Sequence, residues 1–187
     1  MGKVFEKIEP RIKTFIEQQK LFFVSTAPLS AEGLVNVSPK GLDSLRILDD
    51  LTVAYIDLTG SGAETIAHLK ENQRITFLFC AFDGPPKLVR LYGKGEVFER
   101  GTPEFDRLKN HFPEYASARS IIKVSLTRVS DSCGYTVPLY EFKEDRDTMK
   151  KWVAKKDEDS LKAYRALKNR KSLDGLTAFE GKGELEL

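Results

Sequence analysis

The 187-residue sequence is poor in the side chains that most often carry metal or disulfide chemistry. It contains only two cysteines and two histidines. So few cysteines cannot build a disulfide framework, and we expect reduced thiols and a cytoplasmic protein as the default. Cys80 lies inside an apolar run and Cys133 lies beside a glycine, while His68 and His111 have no cysteine or carboxylate neighbours at ligand spacing. A structural zinc site is therefore not expected.

Long apolar runs and a strong excess of one charge are also absent. No stretch approaches the roughly 20 apolar residues that span a bilayer, and we expect neither a signal peptide nor a membrane partner. The formal net charge of +2 is too small to indicate a nucleic-acid partner. A Gly-x-Ser-x-Gly elbow is missing, which leaves other Ser–His–acid arrangements open. The composition, with 41% hydrophobic and 31% charged residues, is typical of a single globular domain.

Strand-like runs dominate most of the chain. Runs rich in β-branched and aromatic residues cover 21–27, 34–40, 45–48, 51–57, 75–82, 87–99 and 120–129. Apolar residues at helical spacing predict helices over 3–19 and 63–72, a helix beginning at Thr102, and two helices in the charged last part. Because strands follow strands, a Rossmann sheet is not expected. We predict a mainly β fold, an antiparallel small barrel with flanking helices and one helix inserted between strands.

Composition divides the chain into two parts. Residues 1–140 hold the predicted barrel, and residues 141–187 form a charged helical extension that we expect to pack on the same domain. The run 75–82 lacks apolar–polar alternation, which predicts that both of its faces are covered. The tail from Asn169 contains glycine, and we expect its end to be loose.

One stretch has the features of an anion-binding turn. The strand 51–57 passes through Thr59-Gly60-Ser61-Gly62 into the helix 63–72. A helix that starts after such a turn has backbone N–H groups without helical partners, and these groups and the helix dipole favour a phosphate. The competing interpretation is a capping box, in which Ser61 and Glu64 satisfy the same groups. The turn is neither a P-loop nor a dinucleotide fingerprint, since Thr65 stands where the latter has its third glycine.

A second polar cluster lies on the run 34–40. Asn36, Ser38 and Lys40 project to one face of a strand, and Lys40 could supply a cation to the same anion. The alternative is an exposed face with Pro39 at a sheet edge. Arg90 and Tyr92 share a face of the long strand and could line the same cavity, although a surface ion pair explains Arg90 equally well. We expect His68 to be solvated, and the basic C-terminal helices to be a solvated face.

The order of these features resembles the pyridoxamine 5′-phosphate oxidase-like FMN-binding split-barrel family over about residues 15–129. The most specific parts of the resemblance are Asn72-Gln73-Arg74-Ile75 after the inserted helix and Gly93-x-Gly95-Glu96-Val97 on the long strand. The earlier segments Val37-Ser38-Pro39-Lys40-Gly41 and Thr59–Thr65 also fit. The segment 131–138 and the helices after it resemble the C-terminal region of an uncharacterised branch of the same superfamily.

This resemblance implies a homodimer with two FMN sites at its interface. The implied cofactor-binding residues are Asn36, Ser38, Lys40, Thr59, Gly60, Ser61, Gly62, Thr65 and Arg90. Of these, Lys40 and the 59–65 turn would hold the phosphate, and Cys133 to Tyr135 could reach the flavin of the partner subunit. The oxidases themselves carry Ser-Arg-Lys where this chain has Ala63-Glu64-Thr65, and their C-terminal substrate signature is missing. Pyridoxamine phosphate is therefore not the expected substrate.

Three functions are compatible with these observations. The favoured one is an FMN-dependent oxidoreductase, in which flavin N5 exchanges hydride with a small organic molecule. The alternative is a flavin or haem carrier or sensor without turnover, and a deazaflavin would present a phosphate to the same turn. The third is a ligand-free barrel that binds partners or nucleic acid through its basic C-terminal helices.

Overall fold

The computed structural model describes residues 2–179, which form an eight-stranded antiparallel sheet with helices around it. The strands are β1 Val4–Phe5, β2 Phe22–Thr26, β3 Asn36–Lys40, β4 Leu45–Asp49, β5 Thr52–Leu58, β6 Arg74–Cys80, β7 Leu88–Glu99 and β8 Ala118–Ser132. The helices are α1 Pro10–Gln18, α2 Glu64–Asn72, α3 Pro103–Leu108, α4 Thr148–Val153 and α5 Glu158–Lys168. The predicted mainly β class, with one helix inserted between strands, is confirmed.

The sheet curls into a barrel that is not closed. Its strand order is β3-β2-β6-β7-β8-β5-β4, with β1 paired to β8. The residues 41–44 connect the two edge strands, β3 and β4, which do not pair with each other in the described part of the chain. Pro39 is tolerated in β3 because this strand has a neighbour on one side only. The opening between the two edges positions the site described below.

The main core lies on the inner face of the curled sheet. Phe22, Tyr55 and Phe77 are buried there, with ring centres 6.1 Å apart for Phe22–Tyr55 and 5.8 Å apart for Tyr55–Phe77. The helix α2 buries Ile66 and Leu69 into the same core. Burying these large side chains supplies the main hydrophobic stabilisation, about 1.5–3 kcal/mol for each. The inserted helix is therefore held as part of the core.

The predicted helix 3–19 is wrong in its first half. Val4 and Phe5 pair instead with Ser130 and Val129 of β8. The helix α1 begins only at Pro10, whose ring fixes φ at a helical value and whose missing N–H costs nothing in a first turn.

The expectation that both faces of the run 75–82 are covered holds only in part. The inner side chains Ile75, Phe77 and Phe79 are buried, whereas Thr76 and Leu78 on the outer face are only half-buried. Burial alternates from Ile75 to Phe79 but not at Cys80, which lies on the outer face and is buried. The apolar Leu78 is left partly at the outer surface, so the sequence does not alternate in polarity.

The C-terminal segment returns to the barrel. Residues 170–179, called the C-terminal hairpin below, fold back on themselves through a bridge between Lys171 and Thr177 and a turn at Gly175, whose φ of +78° favours glycine. Ala178 and Phe179 are buried in the main core. The tail is thus packed as far as Phe179, and the predicted loose end lies outside the described residues. No described helix has both the length and the apolar character needed to cross a membrane.

Candidate functional site

Three polar side chains of β3 point into the barrel at its open edge. Asn36, Ser38 and Lys40 lie opposite Thr26, Val24 and Phe22 of β2, which are the buried side chains of that strand. The period of two along a strand places all three on the inner face. They are half-buried, whereas the intervening residues of β3 are exposed. The strand thus turns its polar face inward and its apolar face outward, the reverse of an ordinary edge strand.

Lys40 reaches across the opening to a buried carboxylate on β5. Its Nζ lies 3.1 Å from Asp57 Oδ1, and Arg119 Nε of β8 lies 2.6 Å from Asp57 Oδ2. The Asp57 side chain is only 2% exposed and that of Arg119 only 7%. Burial raises the pKa of Asp57, but the charges of Arg119 and Lys40 outweigh it and hold that pKa below its usual range. Two cations therefore share one carboxylate, and the cluster keeps an excess of positive charge.

Arg119 is not fully satisfied by this pairing. Its Nη1 is buried and has no hydrogen-bond partner among the described residues. Buried donors are almost always paired, so an unpaired guanidinium nitrogen indicates a place for an acceptor. The neighbouring Tyr55, whose ring centre is 5.8 Å from Lys40 Nζ, has its pKa raised by burial and by Asp57, so it remains a neutral phenol.

The capping-box interpretation of the inserted helix is wrong. The N-cap residue of α2 is Ala63, and among the described residues no side-chain cap hydrogen bond is made at this helix start. Ser61 is exposed. The carboxylate of Glu64 lies against Gly62, where a Cβ would collide with it. The helix therefore begins with uncapped N–H groups, and the long acidic side chain of Glu64 lies beside them.

The turn before α2 is held by the C-terminal extension. Thr59 Oγ1 donates to the Ser117 carbonyl at 2.8 Å and accepts from Arg165 Nε at 3.0 Å. The carbonyl of Gly60 accepts from Asn169 Nδ2 at 2.8 Å. The hydroxyl of Thr59 and the carbonyl of Gly60 thus make contacts within the chain, while Ser61 and Gly62 do not take part in them.

A network of short polar side chains joins β3 to α2. Asn36 Nδ2 donates to Thr65 Oγ1 at 2.9 Å and to Thr26 Oγ1 at 3.3 Å. Ser38 Oγ donates to Asn36 Oδ1 at 3.1 Å. His68 Nδ1 lies 3.0 Å from Thr26 Oγ1. The structure therefore brings the β3 residues and the start of α2 together, as far along the helix as His68.

The expectation that His68 is solvated is wrong, because its side chain is completely buried. The face of α2 that would meet water is covered by the C-terminal hairpin, whose Asp174 Oδ2 lies 3.5 Å from His68 Nε2.

Arg90 and Tyr92 do not line the same cavity as Lys40 within one chain. They alternate with the buried Val89 and Leu91 and therefore point to the outer face of the sheet, away from the face that carries Lys40. Arg90 Nη1 donates to Ser132 Oγ at 3.0 Å. Further along the chain, Tyr135 is 81% exposed.

Sequence reasoning missed Asp57, Arg119, Arg165 and Asn169, the residues that surround the turn and the cation of Lys40. One signal was present: Asp57 follows Val53 and Tyr55 at the inward spacing of a buried strand, and a carboxylate there requires a cationic partner. No local signal identifies that partner, because Arg119 lies one residue before the predicted strand 120–129.

Comparison with known proteins gives one family-level result. The family model described as pyridoxamine 5′-phosphate oxidase matches residues 8–133. A curated relative, the pyridoxamine 5′-phosphate oxidase family protein ustO of Aspergillus flavus, is 39% identical over 148 residues. That match includes 77% of this chain and 59% of the relative, so the chain spans about three-fifths of the relative's length.

Solved structures share the fold at low sequence identity. A variant of HupZ from Group A Streptococcus superposes with a TM-score of 0.54 at 22% identity, over 67% of this chain and 99% of that one. A presumptive pyridoxamine 5′-phosphate oxidase of Lactobacillus delbrueckii gives a TM-score of 0.52 at 18% identity, over 67% and 94% of the two chains. At these identities the likeness is one of fold.

Proposed function

Because the chain belongs to the pyridoxamine 5′-phosphate oxidase family, we propose that it is an FMN-dependent oxidoreductase that acts on a small organic molecule. The observation that carries this proposal is a pair of cations, the half-buried Lys40 and the buried Arg119, which share the single carboxylate of Asp57 two residues before the turn that leads into α2. A buried excess of positive charge is costly unless an anion balances it. The phosphate of FMN is such an anion.

The residues at this point fit a phosphate. Arg119 Nη1 is buried without a hydrogen-bond partner among the described residues, and the first turn of α2 has no side-chain cap. In the proposal, Lys40, Arg119, Ser61 and the N–H groups after Gly62 hold the phosphate. Thr59 and Gly60, which are bound to the C-terminal extension, shape the turn and contribute no side-chain donor.

In the proposed enzyme, FMN supplies the chemistry of hydride exchange, and the chain supplies binding and orientation. Asn36 and Ser38 line the inner face beside Lys40 and offer polar contacts to the flavin or its ribityl chain. The apolar core behind them, with Tyr55 and Phe22, excludes water from the inner side of the site. Asp57 holds Lys40 and Arg119 in place and remains ionised at neutral pH, because its pKa is lowered.

We further propose that the protein is a homodimer with its flavin sites at the interface. Val35 and Val37 are 69% and 61% exposed on the outer side of the sheet edge, which suits a surface that packs against another chain. Arg90 points to this outer side, so it would serve the flavin of the partner subunit. Light scattering during size-exclusion chromatography is expected to give twice the chain mass, and the mass of a single chain would contradict the dimer.

Spectroscopy and rapid kinetics test the proposed activity. The purified protein is expected to carry a flavin absorbance spectrum, or to acquire one when titrated with FMN, and the released molecule is expected to have the mass of FMN. Anaerobic stopped-flow mixing with reduced nicotinamide cofactors then separates an oxidoreductase from a carrier, since a carrier does not bleach the flavin rapidly. A protein that stays colourless in FMN would rule out the proposal.

Lys40 provides the first quantitative test. Replacing Lys40 by Ala removes a charge-assisted contact worth about 1.5–3 kcal/mol, so FMN affinity should fall by about ten- to a hundredfold. Isothermal calorimetry measures this change. The matched control is Lys13→Ala, which removes an exposed lysine that pairs with Glu17 on α1 and should leave the affinity unchanged. Equal affinities for the Lys40 variant and the wild type would remove Lys40 from the site.

A further inference from the structure

One buried titratable side chain, that of His68, is not used by the proposed cofactor site. The ring is completely buried. Its Nδ1 lies 3.0 Å from Thr26 Oγ1, and its Nε2 has no hydrogen-bond partner among the described residues but faces Asp174 Oδ2 at 3.5 Å. One partner is a hydroxyl, which can donate or accept, and the other is a carboxylate, which can only accept. The surroundings therefore distinguish the neutral ring protonated on Nδ1 from the one protonated on Nε2.

The carboxylate of Asp174 selects the form that carries its proton on Nε2. An N–H bond that faces a carboxylate is attracted to it, whereas a lone pair in the same place is repelled. The carboxylate is itself fixed, because Asp174 Oδ1 accepts the backbone N–H of Leu34 at 3.0 Å. With the proton on Nε2, Nδ1 is an acceptor, and the hydroxyl of Thr26 must donate to it.

This choice determines every hydrogen bond up to Ser38. The hydroxyl of Thr26 donates its proton to His68, so its oxygen can only accept, and it accepts from Asn36 Nδ2. The second proton of the Asn36 amide is donated to Thr65 Oγ1. The amide of Asn36 is thereby oriented with its oxygen towards Ser38, whose hydroxyl donates to it. Ser38 is left with free lone pairs and no free proton.

We infer that His68 and Asp174 are positioning residues, which fix the proton order of the Thr26–Asn36–Ser38 network so that Ser38 presents an acceptor to the bound flavin. The chemical group that fits Ser38 is then a hydrogen-bond donor, such as the imide N–H of the ring or a ribityl hydroxyl. This inference rests on the proposed function for its ligand but not for its proton order. It also makes the C-terminal hairpin, which carries Asp174, a supporting element of the site.

The proton order is tested on the protein without flavin. Long-range ¹H–¹⁵N spectra distinguish protonated from unprotonated imidazole nitrogens, and the chain has only two histidines, so the variant His111→Gln assigns the signals of His68. The expected pattern is a proton on Nε2 of His68 and none on Nδ1, as the contacts with Asp174 and Thr26 require. A ring protonated on Nδ1, or on both nitrogens, overturns the inference.

Asp174→Asn sharpens this test. In this variant the backbone N–H of Leu34 still donates to the side-chain oxygen of residue 174. The amide nitrogen of the variant therefore faces His68 and donates to Nε2. The proton of His68 is then expected to move to Nδ1. An unchanged tautomer would show that the carboxylate does not control the ring.

Flavin affinity tests the use of the network, with a matched pair of variants at Thr26. Thr26→Ser keeps the hydroxyl and is expected to bind FMN within about twofold of the wild type. Thr26→Val removes the hydroxyl at nearly equal volume and is expected to weaken FMN about tenfold, the effect of one lost hydrogen bond. Thermal unfolding of each variant confirms that the comparison is between folded proteins.

Riboflavin identifies which part of the cofactor the network serves. Thr26→Val should weaken riboflavin and FMN by the same factor, because Ser38 contacts no phosphate, whereas Lys40→Ala should weaken FMN alone. If the serine and valine variants bind FMN equally, the positioning role is wrong. A wild-type protein that binds neither flavin overturns both the proposed function and the flavin contact of Ser38. The proton order of the network is then tested only by the tautomer of His68.

Discussion

At the scale of single residues, Asp57 connects stability to the proposed cofactor. It is the shared partner of Lys40 and Arg119, which come from opposite sides of the opening in the barrel. A carboxylate buried to this degree is favourable only while both partners are present. The same arrangement leaves an excess of positive charge for a ligand, so one side chain serves both the fold and the anion site.

The lowered pKa of Asp57 predicts a specific dependence of stability on pH. Since the pKa is lower in the folded than in the unfolded protein, Asp57 contributes stability above about pH 4, its unfolded pKa, and this contribution is lost as the pH falls through the folded pKa. Asp57→Asn should cost about 3–5 kcal/mol at pH 7, because it leaves the buried guanidinium of Arg119 and the half-buried ammonium of Lys40 without their counter-charge. Urea unfolding of the wild type and of Asp57→Asn at pH 7 and at pH 3 measures the difference in unfolding free energy at each pH.

The difference between wild type and Asp57→Asn should therefore shrink on acidification. Adding FMN should restore part of the stability of the variant at neutral pH, since the phosphate replaces the lost negative charge. A gap between the two proteins that stays constant with pH would contradict the assigned role of Asp57.

At the scale of elements, the helix α2 combines a packing surface with a charged terminus. Ile66 and Leu69 hold it in the core, while its first turn has no side-chain cap. Glu64 supplies the negative charge that such a terminus favours. In the proposed complex this carboxylate competes with the phosphate for the same N–H groups.

Glu64→Gln is therefore expected to bind FMN more tightly than the wild type. Removing a charge at a helix terminus changes the free energy by about 0.3–1 kcal/mol at low ionic strength, which corresponds to about a two- to fivefold gain in affinity. The unfolding free energy of the flavin-free variant should fall by a similar amount. Calorimetry at low and high salt measures the effect, and Glu17→Gln on α1 is the control. Weaker binding by the Glu64 variant would show that this carboxylate supports the ligand.

At the scale of the whole molecule, the structure shows which features the sequence could predict. Period-two spacing is local, so it correctly places Asn36, Ser38 and Lys40 on one face, and the strand-after-strand order correctly indicates an antiparallel barrel. The burial of His68 depends on Asp174, a residue of the C-terminal hairpin that reaches Leu34 across 140 positions of sequence. No local pattern near His68 contains that information.

The same reasoning explains the outcomes for Lys40 and Arg90. Alternation along β3 gives the side to which Lys40 points, but its partner Asp57 lies across an opening that only the curl of the sheet creates. From the sequence, Arg90 fits either a contact in the same cavity or a surface ion pair. Its alternation with the buried Val89 and Leu91 places Arg90 on the outer face, and the sequence alone does not show which of the two faces of β7 meets the barrel interior.

The central claim is that Lys40, Arg119 and the N-terminus of α2 bind a phosphate. Calorimetric titration of the purified, flavin-free protein with FMN and with riboflavin tests it most directly, because the two ligands differ only in the phosphate. Charge-assisted contacts worth about 1.5–3 kcal/mol predict that FMN binds at least about tenfold more tightly. Equal affinities for FMN and riboflavin would contradict the claim.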